Sequence, residues 1–214
     1  MSSVAQAAGS SPRTGVDDAH GIGVLGSTGA GIHEMLNLRR EMDIVTGTFG
    51  HALGGGAGGF VSGKRPVVAW LRQKSRPYLV STALAPAAAG AALKAIELLR
   101  AEPKLREQLF ENVRAVREGL AAEGLKVAGG EHAALAVMIG DAVATQRMAD
   151  LLYRRGIFAM GFCHPVVPEG SARLRVQVTA KHSQRSIDSA VAAFGAAARE
   201  LGLTRAPRPE PALR

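Results

Sequence analysis

Four stretches of this sequence carry side chains that could move protons or hold anions. The first is Asp17-Asp18-Ala19-His20, which runs into Gly21-Ile-Gly-Val-Leu-Gly26. Read literally, GIGVLG fits a dinucleotide-binding fingerprint, with Asp43 about where a ribose-binding acid would lie. That fingerprint needs an apolar strand before it and a helix after it. Here the lead-in is SSPRTG-V, and STGAG is a poor helix start. Two carboxylates and an imidazole also suggest a metal site, for which only His33 and Glu34 are near enough to add ligands. A solvated loop with local turn bonds accounts for the same residues, and no metal is expected.

The second stretch is Thr46-Gly-Thr-Phe-Gly-His-Ala-Leu-Gly-Gly-Gly-Ala-Gly-Gly59. A strand ending in hydroxyls and small residues lets backbone N–H groups approach an anion such as phosphate, although structural glycine turns have the same composition. The third is Arg173-Leu-Arg175, where an arginine on the polar face of a strand could clamp a carboxylate through two parallel hydrogen bonds. The fourth, Arg76-Pro-Tyr-Leu-Val-Ser81-Thr82, sets paired hydroxyls just before a helix, as a phosphate contact or as a simple cap.

These residues need elements to position them, and the pattern is mixed α/β. Asp43–Thr48 and Gly59–Ser62 are short strand candidates bounded by glycine. Leu105, Leu109, Val113, Val116 and Leu120 recur at spacings of four and three, which predicts an amphipathic helix over 103–123. Leu135–Ile139 reads as a strand, followed by a helix from Asp141, a natural N-cap, to Arg155. A strand returns over 157–162. Residues 173–179 alternate, with Leu174, Val176 and Val178 facing one way and Arg173, Arg175, Gln177 and Thr179 the other. A last helix over about 184–202 places Ile187, Val191, Phe194 and Leu201 on one face. The second half therefore predicts a compact α+β unit, whereas the first half has short strands and no apolar run before Val16 to lie beside them.

Composition narrows the partners. The chain has 214 residues, 47% hydrophobic and 21% charged, which is globular composition with room for a core. No apolar run approaches a membrane span and the start lacks a signal-peptide pattern, so no membrane is expected. The single cysteine, Cys163, excludes an internal disulfide and fits a cytoplasmic protein. The net charge of +8 raises nucleic acid as a partner. The basic residues, however, are scattered and often share helices with acids, as in Lys104-Leu-Arg-Glu107, and no aromatic-interleaved basic stripe is present, so no nucleic acid is expected.

No pattern alone singles out a reaction, but in order they do. DDAHGIGVLG, TGTFGHALGG, WLRQKSRPYLVSTALAP and PVVPEGSARLRVQVTAKH resemble the C-terminal half of the α-oxoamine synthases. These are pyridoxal 5'-phosphate (PLP) acyltransferases of the aspartate-aminotransferase-like fold. The resemblance covers about Val16 to Leu203 and is nearest the glycine C-acetyltransferase (2-amino-3-ketobutyrate CoA ligase) branch, with the 8-amino-7-oxononanoate synthases less similar after Trp70. It implies a remnant of the PLP-binding large domain over 16–90 and a small α+β domain over 91–203, between a disordered start (1–15) and tail (204–214).

The resemblance also assigns roles. Asp17, as a buried carboxylate, would pair with the pyridine nitrogen and keep the ring protonated as an electron sink, and His20 would bond the ring hydroxyl. Thr48 would contact the phosphate, Ser81 and Thr82 would reach the phosphate of a neighbouring subunit in a dimer, and Arg175 would hold the substrate carboxylate. The implied reaction transfers acetyl from acetyl-CoA to glycine, giving 2-amino-3-oxobutanoate and CoA. One departure stands out: the family motif T-G-T-x-G-K-A-L-G-G supplies a Schiff-base lysine, and here His51 takes that position. Imidazole forms no stable imine, so any PLP would be held noncovalently, and His51 is left as a candidate base. Lys64, the next lysine, does not match the motif. Family members are roughly twice this long, consistent with a large plus a small domain. The expectation is a C-terminal portion that is inactive or impaired alone. Its alternatives are a non-catalytic dimerisation partner of a full-length paralogue and, remotely, a dinucleotide-binding oxidoreductase.

Overall fold

The computed structural model describes residues 14–38, 42–54, 56–81 and 84–204. Most of the expected disordered start and tail lies outside these residues. The chain divides into two compact units, 1–103 and 104–214.

The first unit holds strands β1 (Gly15–Asp17), β2 (Ile44–Thr48) and β3 (Gly59–Gly63), with helices α1 (Ile32–Met35), α2 (Arg65–Lys74), α3 (Arg76–Leu79) and α4 (Pro86–Ala101). The central strand is β2. It pairs in parallel with β1, in the register Asp17↔Thr46, and antiparallel with β3, from Ile44↔Gly63 to Thr48↔Gly59. The sequence showed no partner before Val16, yet β1 begins at Gly15. Three residues can join a sheet through backbone bonds alone, and Thr14 extends the contact by accepting from the N–H groups of Asp43 and Ile44 at 3.0 and 3.1 Å. Among the described apolar residues of this unit, Val24, Leu53 and Ala92 are buried, whereas Trp70, Tyr78, Leu79 and Val80 are exposed.

The second unit follows the sequence pattern closely. Helices α5 (Lys104–Ala122), α6 (Ala142–Arg154) and α7 (Gln184–Glu200) accompany a sheet ordered β4-β5-β7-β6, formed by Lys126–Val127, Ala134–Gly140, Ala172–Gln177 and Met160–Phe162. All its pairings are antiparallel. The predicted strand over 157–162 shortens to its last three residues, because only these pair with β7. Asp141 caps α6 as expected, its carboxylate accepting from the Ala144 N–H at 2.7 Å. The helix α6 packs on β5, β6 and β7, and α7 packs on α5 and α6. The core is Leu120, Leu135, Val137, Met148, Leu152, Leu174 and Phe194, all essentially solvent-free. Buried Asn112 ties α5 to the turn before α7, donating to the carbonyls of Thr179 and His182 at 2.9 and 3.0 Å. No described helix is long and apolar enough to cross a membrane.

Candidate active site

Because β1 and β2 run parallel, the chain leaves both strands at the same end of the sheet. The loop after β1 carries Asp17 to His20 and the loop after β2 carries Thr48 to His51, so two segments far apart in sequence share one edge. The carboxyl ends of parallel strands are where α/β sheets commonly place their ligands.

Neighbouring aspartates divide the work. Asp17 is exposed, and its Oδ1 accepts the nearby Ala19 N–H at 3.1 Å. Asp18 is buried at 5% exposure. Its backbone N–H donates to Thr46 O at 2.9 Å, and its Oδ2 accepts from Ile32 N–H at 2.7 Å, which pulls the start of α1 back against the sheet. At Gly21 and Gly31 an added Cβ would run into this carboxylate, and Gly31 also has φ 116°, a conformation only glycine adopts readily. The motif resemblance implied a buried carboxylate at Asp17; the structure corrects this, exposing Asp17 and burying Asp18, because it is Asp18 that turns back to accept the Ile32 N–H. We expect Asp18→Ala to cost about 2 kcal/mol through loss of a charged acceptor. Asp17→Asn keeps the turn and should stay within about 0.5 kcal/mol of the parent. Urea unfolding of both variants checks the contrast.

The loop from Gly26 to Gly31 closes on Glu34. Burial pushes this carboxyl up, but the N–H groups of Ala30 and Thr28 and the hydroxyls of Thr28 and Ser27 outweigh it and hold the group at about 2, below the ordinary 4.5. A folded value below the unfolded one means that the stabilisation is complete above about pH 4.5 and is lost as pH falls toward 2. Hydrogen exchange at Thr28 and Ala30 should therefore accelerate, relative to its intrinsic rate, as pH is lowered through this window. In Glu34→Gln the acceleration should be absent.

The second loop meets the first through two rings. His51 stacks on His20 with ring centroids 4.1 Å apart and planes 15° from parallel. His51 Nδ1 lies 3.0 Å from Ala19 O. Leu53 is buried, and a Cβ on Gly23 would stand 2.8 Å from the Ala52 side chain, so the two loops interlock closely. Thr48 braces the glycine loop: its hydroxyl donates to Gly58 O at 3.1 Å and accepts from Gly50 N–H at 3.0 Å. In this conformation the hydroxyl proton is already used, so a phosphate contact through Thr48 would need it redirected.

Asp17, His20, Thr48 and His51 thus gather at one end of the first unit. Ser81 is exposed after α3, and Thr82 lies outside the described residues. In the second unit Arg175 sits half-buried on β7, and its guanidinium makes a long 3.5 Å bond to Gln177 Oε1. Lys64 follows β3 at the opposite end of the sheet from His51, roughly 13 Å away along the strand. There it pairs with buried Asp43 at 2.7 Å. That pair also disposes of Asp43 as a ribose ligand beside the GIGVLG turn. The turn itself leads into further loop rather than a helix, so the dinucleotide reading lacks its structural context. Among the described residues no cluster of three His, Cys, Asp or Glu side chains could hold a metal ion.

PLP, the cofactor implied by the sequence motifs, can be tested against this donor set. An exposed carboxylate beside two imidazoles suits a ring with a basic nitrogen and a hydroxyl. The position that should supply a primary amine supplies an imidazole, and the next lysine is tied down elsewhere. The residues fit a noncovalently held ring and not a covalent imine.

Comparison with known proteins agrees with this frame. The family model "Aminotransferase class I and II" matches residues 12–194. The chain is 46% identical to the 2-amino-3-ketobutyrate coenzyme A ligase of Escherichia coli over 188 residues, covering 88% of this chain and 47% of that protein. It is 41% identical to the 8-amino-7-oxononanoate synthase of Symbiobacterium thermophilum over 190 residues, covering 89% and 48% respectively. Among solved structures, a serine palmitoyltransferase variant from S. paucimobilis with a bound PLP–myriocin aldimine superposes with a TM-score of 0.85 at 32% identity. That match covers 95% of this chain and 51% of the other. The chain spans about half the length of the curated relatives it matches.

Proposed function

The chain belongs to the aminotransferase class I and II family, and from that premise we propose that it carries the PLP site of a glycine C-acetyltransferase-type enzyme in noncovalent form. In this reading the transfer of acetyl from acetyl-CoA to glycine is impaired. The observation that carries the proposal is the ring pair at the sheet's end: an imidazole, stacked on His20 and bonded to Ala19 O, stands where this chemistry requires an amine. Bound there, PLP would supply an electron sink for negative charge at an amino-acid Cα.

The protein's own groups have separable tasks. The Asp17 carboxylate, exposed at the end of β1, would hold the proton on the ring nitrogen, and His20 would donate to the ring hydroxyl. Asp18 takes no part in binding but keeps the loop against the sheet, so that Asp17 and His20 stay in place. Ser81 and Thr82 would reach the phosphate of a second subunit, with Thr48 near the phosphate on its own side. Arg175 would grip the substrate carboxylate through two N–H donors. Among the described residues its guanidinium has only the 3.5 Å bond to Gln177 Oε1 to give up, so it can do so at little cost.

The test is direct. Purified protein with PLP, glycine and acetyl-CoA should bind the cofactor by absorbance titration, yet release CoA no faster than a cofactor-only blank. Clear turnover would overturn the impairment, and absence of PLP binding would overturn the site. A second reading, favoured by the exposed Trp70, Tyr78, Leu79 and Val80, makes the chain a non-catalytic partner in a dimer with itself or with a full-length paralogue. Co-purification with such a paralogue would support that reading, and a strictly monomeric chain with no captured paralogue would remove it.

A further inference from the structure

We propose that His51 is a proton carrier whose tautomer is set by the fold, with Nδ1 holding the proton and Nε2 presenting the lone pair. The argument starts from Ala19 O, which lies 3.0 Å from Nδ1. A carbonyl oxygen can only accept, so Nδ1 must donate, and the neutral ring then keeps its basic lone pair on Nε2. An unconstrained histidine prefers the opposite arrangement, with the proton on Nε2. The Ala19 carbonyl therefore selects the less common form.

Two further features make this a positioned base and not an incidental loop contact. The His20 ring, stacked 4.1 Å away and 15° from parallel, fixes the plane of His51. The side chain is exposed, and among the described residues Nε2 has no hydrogen-bond partner. An imidazole in this state takes up a proton at Nε2 without giving up its Nδ1 bond. That bond becomes charge-assisted and stronger once the ring is an imidazolium.

The lysine of the related enzymes would unite two tasks, covalent attachment and proton transfer. In this chain the first is chemically excluded and the second is retained. With PLP bound, Nε2 would accept the proton of an amino-acid Cα–H bond, the bonding pair staying with the carbon, and the cofactor would supply the electron sink that makes this proton acidic. Return of the proton from Nε2 restores the neutral ring. The carbon acid rests on the PLP reading above, whereas the tautomer does not.

Two measurements on the full chain separate these dependencies. In long-range proton–nitrogen NMR of the protein labelled at histidine nitrogens, without cofactor, one ring should show a protonated Nδ1 and an unprotonated Nε2. That signal should vanish in His51→Gln. A His51 ring protonated at Nε2 overturns the proposal whatever the cofactor does. In deuterium oxide with PLP and glycine, the protein should speed deuterium entry at Cα by about a hundredfold over PLP alone, the scale of a positioned general base. His51→Gln should return the rate to that of PLP alone with PLP absorbance unchanged, and added imidazole should partly restore exchange in His51→Ala. Parental exchange in His51→Gln, or loss that imidazole does not rescue, overturns the role. If PLP does not bind the parent chain, the site assignment fails by itself and the NMR tautomer alone decides this proposal.

Discussion

His51→Lys should convert a noncovalent site into a covalent one. Incubated with PLP and reduced with borohydride, the variant should gain the mass of one reduced cofactor, whereas the parent should gain none at a unique position. The backbone needed for this is in place. Leu53 is buried beneath the loop, Ala52 is packed against Gly23, and the His51 side chain is exposed, so a lysine meets no steric barrier. Lys64 provides the control. It is paired with Asp43 at the far end of β2, and Lys64→Arg in the His51→Lys background should leave the adduct intact. Peptide mapping then places the adduct at residue 51. A variant that binds PLP but forms no adduct would show that the loop does not bring an amine to the aldehyde. The change is from absence to stoichiometric labelling, larger than any effect expected from tuning a contact.

The second large effect is on stability and lies in the other unit. Phe194→Ala should destabilise the chain by about 4 kcal/mol, within the range for removing a fully buried aromatic ring. Phe194 is 1% exposed and, with Val116, Leu120, Val176 and Ile187, lines the floor of a largely apolar pocket of about 310 Å³ that is partly open to solvent. Deleting the ring removes its packing contacts and extends the open pocket into the core, so apolar neighbours that the ring now covers become exposed to water. Denaturant unfolding followed by a probe in the second unit measures the cost. The consequence for function runs through β7. Leu174 packs inward on the strand that carries Arg175, so a loosened core should also broaden the arginine's position and weaken any carboxylate held there. A loss below about 1 kcal/mol would mean that α7 is not fastened to this core as described.

Legibility differed sharply between the two halves. In the second unit, α5, α6 and α7 follow from apolar spacing and from Asp141 as a cap, and β7 follows from alternation, because each buries one regular face against a core within the same segment. In the first unit the deciding contacts are long-range. Strand β1 has no apolar pattern and exists because β2 offers it backbone partners. The Lys64–Asp43 pair, 21 residues apart, depends on chain paths that no local spacing encodes.

The candidate site shows the same division. Resemblance of the motifs was enough to name Asp17, His20, Thr48, His51 and Arg175 as candidates, and the residue type at His51 was enough to exclude an imine there, because that depends on covalent chemistry which no fold can alter. Other features needed the tertiary structure: burial of Asp18 rather than Asp17, contact between Ala19 and His51 across 32 residues, and the nitrogen of His51 that holds its proton. The physical reason is that solvent exposure and hydrogen-bond partners belong to the meeting of two loops at the end of a parallel strand pair, and neither loop contains that information by itself.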